Sequence, residues 1–190
     1  MDWLEKYAKD NNIPIMQKEG ILFLTKYIKE NNVKTILEIG SAIGYSAINM
    51  ASVSKEIKIV TIEKDEERYN EALKNIEKFN LQDQIDIILG DALETEIKGK
   101  FDLIFIDAAK AQYIKFFEKY KENLNEKGII VSDNLDFHGL THDGVVIKNK
   151  NLRQLVRKIK NYKKFLEENE EFKTEFIQVG DGIAISKRCK

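Results

Sequence analysis

The stretch Asp102-Leu-Ile-Phe-Ile-Asp107-Ala-Ala-Lys110-Ala-Gln-Tyr113 brings a carboxylate and an amine to the end of an apolar run. Four residues, Leu103 to Ile106, read as a short buried strand closed by Asp107, with Lys110 three positions on. A second apolar run, Gly128-Ile-Ile-Val-Ser132, closes on Asp133-Asn134 in the same way. Open α/β sheets bind ligands outside the carboxyl ends of their parallel strands. Asp107, Asp133 and Asn134 therefore form a candidate metal site of hard oxygen donors, a set that suits Mg²⁺ with water or substrate oxygens in its remaining positions. Such a cation lowers the pKa of a hydroxyl, and Lys110 could take the proton released. The plainer reading, Lys110 as a salt-bridge partner of Asp107, stays open. His138 and His142 stand four apart in a glycine-containing stretch and read as surface rather than as ligands.

A second cluster lies earlier. Glu38-Ile-Gly40-Ser-Ala-Ile-Gly44 follows an apolar run with Gly-x-x-x-Gly spacing, unlike the Gly-x-Gly-x-x-Gly of dinucleotide sites. Glu38 would repel a pyrophosphate and attract an ammonium or sulfonium, which points to S-adenosylmethionine. Glu63 closes the next apolar run, where an acid can accept both ribose hydroxyls. Asp91 and Ala92 close the one after, in reach of an adenine edge. Any one of these acids could be a turn or a helix cap; four successive strand ends bearing carboxylates are harder to dismiss.

The elements that must position these groups follow from periodicity. Helices are expected over 2–11 and 17–31, the latter with Ile21, Leu22, Leu24, Thr25 and Ile28 inward, interrupted by the only proline, Pro14. Strands are expected over 35–39, 57–62, 85–89, 103–106 and 128–132, and helices from after Ser46 to about Val53, over 65–79 and over 111–124. A surface loop over 135–148 precedes a long polar helix over about 149–169. Two final strands, 174–179 and 183–187, flank Gly180-Asp181-Gly182 as a hairpin. Alternating strands and helices imply an α/β fold with a mostly parallel seven-stranded sheet, helices on both faces and one antiparallel strand added at the edge.

The 190 residues, 43% hydrophobic and 33% charged, fit one globular domain, 1–190, with 1–31 as an N-terminal helical cap. A net charge of -1 excludes a global nucleic-acid bias but not a local patch. A single cysteine, Cys189, points to a reducing compartment. Without a signal-like start or a spanning apolar run, a cytoplasmic protein with no membrane partner is expected.

Leu-Glu-Ile-Gly-Ser-Ala-Ile-Gly-Tyr-Ser (37–46), Asp-Ala-Ala-Lys-x-x-Tyr (107–113) and Asp-Asn-x-x-x-x-Gly (133–139) resemble the metal-dependent class I O-methyltransferases, the family of the catechol and caffeoyl-CoA enzymes. The likeness spans nearly the whole chain and implies a Rossmann-like methyltransferase fold. Pro-Ile-Met (14–16), Arg153-Gln-Leu-Val-Arg157-Lys and Val-Gly-Asp-Gly-Ile-Ala-Ile-Ser (179–186) look most like the bacterial tRNA 5-hydroxyuridine methyltransferases. The resemblance implies Asp107, Asp133 and Asn134 as Mg²⁺ ligands, and Met16, Glu38, Gly40, Ser46, Glu63, Ala92 and Asp107 as contacts of S-adenosylmethionine. It also implies Lys110 as the base, and a homodimer. One departure is Ala109, where animal catechol enzymes carry an aromatic residue before the lysine, so a wall for a free catechol is missing there.

Lys148, Lys150, Arg153, Arg157, Lys158, Lys160, Lys163 and Lys164 fall in one stretch without an acid. Arg153, Arg157 and Lys158 are the candidate RNA contacts, whose phosphate neutralisation would be salt-sensitive; the alternative is a solvated helix face. 5-Hydroxyuridine has adjacent 5-hydroxyl and 4-oxo oxygens that can chelate one Mg²⁺, and a wobble uridine in an anticodon loop is already unpaired. The expected function is thus methylation of 5-hydroxyuridine to 5-methoxyuridine at the tRNA wobble position. The alternatives are a small-molecule catechol or phenol O-methyltransferase, and an RNA-binding module that holds the donor without turnover.

Overall fold

The computed structural model describes residues 2–142 and 144–189. Its centre is a seven-stranded sheet in the order β3-β2-β1-β4-β5-β7-β6. The strands are β1 (Thr35–Ile39), β2 (Lys58–Glu63), β3 (Ile85–Leu89), β4 (Phe101–Ile106), β5 (Leu124–Ser132), β6 (Phe172–Ile177) and β7 (Ile183–Arg188). Helices α1 (Asp2–Asp10), α2 (Lys18–Glu30), α3 (Tyr45–Ala51), α4 (Glu66–Lys78), α5 (Tyr113–Tyr120) and α6 (Lys150–Glu167) connect them.

Apolar runs make the central strands because both faces of a parallel sheet are covered. Ile36, Leu103, Phe105, Ile129 and Val131 point to one face, where they pack with Leu4 and Ala8 of α1, Leu24 and Ile28 of α2 and Ile48 of α3. Their neighbours Leu37, Ile104, Ile106 and Ile130 point to the other, against Phe116, Phe117 and Tyr120 of α5 and Ile159, Tyr162 and Leu166 of α6. Each fully buried side chain of this size stabilises the fold by about 1.5–3 kcal/mol.

Local signals set the helix starts. Asp65 accepts from Arg68 N at 2.9 Å to cap α4, and Glu66 and Glu67 follow in its first turn, where the helix dipole favours acids. Asn149 caps α6 through Leu152 N at 3.0 Å.

The fold class and every element are as expected, with four differences. β5 starts at Leu124, not Gly128: α5 stops at Tyr120, a 3₁₀ turn covers Lys121–Asn123, and Leu124 pairs with Phe101 across an irregularity in the β4–β5 ladder. The antiparallel strand, β7, is not at the edge; it runs between β5 and β6, antiparallel to both. Leu22 of α2 is 60% exposed rather than inward, because Ile21, Leu24 and Ile28 already fill that stripe. The 135–148 segment is not all surface, since Leu135 and Thr141 are buried; Asp143 lies outside the described residues.

Register aligns the parallel strand ends. Gly40 N donates to Ile62 O at 3.0 Å, Gly90 N to Glu63 O at 2.8 Å, Asp107 N to Ile39 O at 3.1 Å and Asp133 N to Ile106 O at 3.2 Å. Five carboxyl ends therefore open onto one edge, on either side of the β1–β4 junction where the strand order reverses. Among the described residues no helix is long and apolar enough to cross a membrane.

Candidate active site

Along that edge lies a cavity of about 630 Å³, within the usual range of small-molecule sites. Met16, Gly40, Ser46, Glu63, Asp91, Ala92 and Asp107 line it, as do Lys110 and Asn134. Residues spread over most of the chain thus meet in one place.

At the candidate metal site, Asn134 bridges the two carboxylates. Its Nδ2 donates to Asp107 Oδ1 at 3.0 Å and to Asp133 Oδ2 at 2.8 Å. Asn134 adopts φ 65°, a left-handed conformation that asparagine tolerates better than most residues. Asp133 is 2% exposed, and its Oδ1 is buried without a hydrogen-bond partner among the described residues. An orphaned buried carboxylate oxygen is costly. Burial pushes the Asp133 carboxyl up to about 8, with Asp107 raising it further while Asn134 and Lys110 oppose the rise. Burial also raises the Asp107 carboxyl, Lys110 lowers it, and Asp181 raises it again. Two apposed carboxylates, one orphaned oxygen and an amide fit a hard divalent cation, which needs the amide turned so that its oxygen faces inward. The set is two carboxylates and one amide, and no group of three or more Asp, Glu, His or Cys able to hold a metal is found among the described residues.

Tyr113 supports the second ligand strand. Its hydroxyl donates to Asp133 O at 3.2 Å and its ring meets Tyr162 edge-on at 5.2 Å, while Tyr162 OH pairs with Ser132 Oγ at 2.7 Å. Tyr162 is thus core, as helical spacing suggests. Lys110 starts a short 3₁₀ turn, and its ammonium sits 5.6 Å from the centre of the Phe137 ring. It makes no ion pair with Asp107 within 4.0 Å, yet its charge still lowers the Asp107 carboxyl.

At the donor end, Gly40 has φ 94°, and a Cβ there would collide with the Asp107 carbonyl oxygen. Only glycine lets the first loop pass this close to the β4 end. Glu63 Oε2 accepts from Ala42 N at 2.7 Å, and Oε1 from Lys64 N and Asp65 N at 2.8 and 2.9 Å. Its carboxylate therefore fixes the glycine loop and keeps spare acceptor capacity on Oε2. Asp91 binds Leu93 N at 2.8 Å and Lys64 Nζ at 2.7 Å, and the ammonium holds its carboxyl below the usual range. Tyr120 OH donates to Ala92 O at 2.6 Å and steadies that turn from α5.

A family model for O-methyltransferases matches residues 2–189. The chain belongs to the O-methyltransferase family. A catechol O-methyltransferase of Niastella koreensis is 32% identical over 166 residues, covering 80% of this methyltransferase and 72% of the relative. A Staphylococcus aureus crystal structure, provisionally named a caffeoyl-CoA O-methyltransferase, superposes with a TM-score of 0.95 at 38% identity, covering 99% of this chain and 91% of that one. A Bacillus cereus O-methyltransferase in complex with SAH superposes with a TM-score of 0.82 at 25% identity, covering 99% and 90%.

Within this methyltransferase, Glu38 is not where charge attraction to a sulfonium requires it. Its carboxylate is wholly buried beneath the loop, accepting from Ser46 Oγ and Thr61 Oγ1 at 2.5 Å each, and it does not line the cavity. It positions Ser46, which does. Arg153, Arg157 and Lys158 stand exposed on α6 and do not line the cavity. His142 Nε2 pairs with Asp136 Oδ1 at 2.6 Å, and both histidines are exposed outside the cavity, consistent with a surface role.

Three participants escape sequence reading. Ser41 lines the cavity with a buried hydroxyl that has no hydrogen-bond partner among the described residues; its place inside the glycine loop is the available signal. Phe137 stands beside Lys110 as an aromatic neighbour that Ala109 cannot supply. Asp181, visible only as a turn residue, accepts from His138 N and, through its carbonyl, from Asp136 N, just past Asn134.

Proposed function

We propose that this methyltransferase moves a methyl group from S-adenosylmethionine to a hydroxyl on a planar ring bearing a second, adjacent oxygen, with Mg²⁺ held by Asp107, Asp133 and Asn134. The observation that carries this reading is the Asp107–Asn134–Asp133 bridge, whose Asp107 and Asn134 line the same cavity as the Gly40–Ser46 loop. A divalent cation there supplies Lewis-acid polarisation of the acceptor hydroxyl. The chain does the rest by placement and proton handling. Glu63 and Asp91 orient the nucleoside part of the donor, Met16 and Ser41 enclose it, and Lys110 Nζ is the group placed to take the hydroxyl proton. The freed oxygen pair forms the new O–C bond as the methyl–sulfur bond breaks, and the electron pair of the broken bond stays on sulfur, leaving a neutral thioether.

The acceptor we propose is 5-hydroxyuridine at the tRNA wobble position. The support is α6: Val156, Ile159, Tyr162 and Leu166 face the core, while Lys150, Arg153, Arg157, Lys158 and Lys164 are exposed, with no acid between 148 and 164. The segment from Asn134 runs into this helix, so the basic face and the metal end are joined by one loop. A small catechol is the second reading. It is favoured by the Niastella relative's name and by Phe137, which offers the wall absent at position 109. Incubation with donor, Mg²⁺ and either hydroxyuridine-containing tRNA or free catechol, followed by mass spectrometry, tests both. Methoxyuridine in digested tRNA at far lower substrate concentration supports the first. Turnover of catechol alone establishes the second, and turnover of neither overturns both.

A further inference from the structure

We infer that Asp181 is a positioning residue of the cation site: the β6–β7 turn grips the backbone that follows Asn134 and sets a further buried carboxyl group against that segment. The inference rests on the cation reading above and extends it to a residue outside the ligand set.

Topology puts the turn there. β7 runs antiparallel beside β5, with Ser132 paired to Ala184, so the residues entering β7 lie next to those leaving β5. Three hydrogen bonds then join the segments: Leu135 N donates to Gly182 O at 3.0 Å, Asp136 N to Asp181 O at 2.7 Å, and His138 N to Asp181 Oδ1 at 2.5 Å.

The gripped segment needs holding. Asn134, Phe137 and His138 have φ of 65°, 48° and 56°, three left-handed non-glycine residues within five positions. Each such residue costs about 1–2 kcal/mol, so the conformation persists only where its surroundings impose it. The turn is shaped for this contact. Gly182, at φ 82°, would bring a Cβ within 2.7 Å of Asp136 N; Gly180, at φ 57°, would bring one within 3.2 Å of Gly20 N in α2. Glycine on each side of Asp181 thus allows one turn to touch the metal-ligand segment and the helix that follows Met16.

Asp181 is also under-partnered. It is 4% exposed, its Oδ2 is buried without a hydrogen-bond partner, and its one ion-pair neighbour among the described residues is the exposed His138 ring, Nδ1 at 3.5 Å. A buried carboxylate short of partners is expensive, and a divalent cation held by the residues next to the gripped segment would offset that cost. Among the described residues no three acids stand close enough to share a metal, so Asp181 acts from behind the ligands rather than as one.

The test is Mn²⁺ titration of the full chain, followed by electron paramagnetic resonance of the free ion, with donor affinity as the control for folding. Asp181→Asn keeps an oxygen for His138 N and loses the charge. We expect it to weaken Mn²⁺ binding about tenfold or more while donor affinity stays within about twofold. Mn²⁺ affinity within about twofold of wild type overturns the inference. If Asp181→Asn does not fold, Gly182→Ala decides: it pushes Asp136 off the turn without touching a charge, and unchanged Mn²⁺ affinity overturns the inference equally. Failure of the wild type to bind Mn²⁺ overturns the cation reading itself, and this inference with it.

Discussion

Asn134 Nδ2 lies 3.0 Å from Asp107 Oδ1, a contact across 27 residues of chain that spans the ends of two adjacent parallel strands. The same amide reaches Asp133 at 2.8 Å. Everything proposed about the chemistry needs these three side chains within reach of one ion. Asp133→Ala removes one ligand. Methyl transfer should fall about 100-fold or more, cation binding should fall with it, and donor affinity should be kept. Activity near wild type, measured with saturating donor, would remove the metal mechanism.

The basic face of α6 separates the two acceptors. Arg153→Glu with Arg157→Glu reverses two exposed charges one helical turn apart. kcat/KM on tRNA should drop about tenfold or more, the slope of log affinity against log salt should flatten, and turnover of a free catechol should change less than about twofold. Equal losses on both acceptors would show that α6 does not contact RNA.

Glu38 makes stability pH-dependent. Burial lifts its carboxyl from 4.5 to about 7, Ser46 and Thr61 oppose the rise, and Asp107 and Glu63 add to it. The folded chain therefore holds this proton more tightly than the unfolded chain does. This contribution is fully present below pH 4.5 and is lost as pH rises through about 7. Its slope is at most about 1.4 kcal/mol per pH unit. Glu38→Gln should flatten that part of the Tm-against-pH curve between those limits. A curve parallel to wild type would place Glu38 outside the linkage.

Tyr120 ties α5 to the turn that carries Asp91 and Ala92, through Ala92 O at 2.6 Å and Thr95 O at 3.1 Å. Tyr120→Phe leaves both carbonyls without that donor. Stability should fall by about 1–2 kcal/mol in denaturant titration, and the donor KM should rise severalfold with kcat little changed. A fall in kcat at constant KM would assign Tyr120 to the chemical step instead.

Much of the site is legible in the sequence. Apolar runs of five or six residues closing on acids mark parallel strands and their carboxyl ends, because both properties are local to each strand. Asp107, Asp133, Asn134, Glu63 and Gly40 were found this way, and the parallel register brings them together almost automatically. Glu38 reads the same way but turns inward. Side chains alternate faces along β1, and this one meets the Ser46 and Thr61 hydroxyls before it can reach the cavity.

By itself the sequence determined the order of elements, the acids at the strand ends and the uninterrupted basic stretch of α6, since each is written within a dozen or so contiguous residues. The tertiary structure alone decided that β7 slots between β5 and β6, which sets Asp181 against the segment that follows Asn134, and that Phe137 stands beside Lys110. Strand insertion is chosen by how whole faces bury against α5 and α6, a long-range property that no local spacing records.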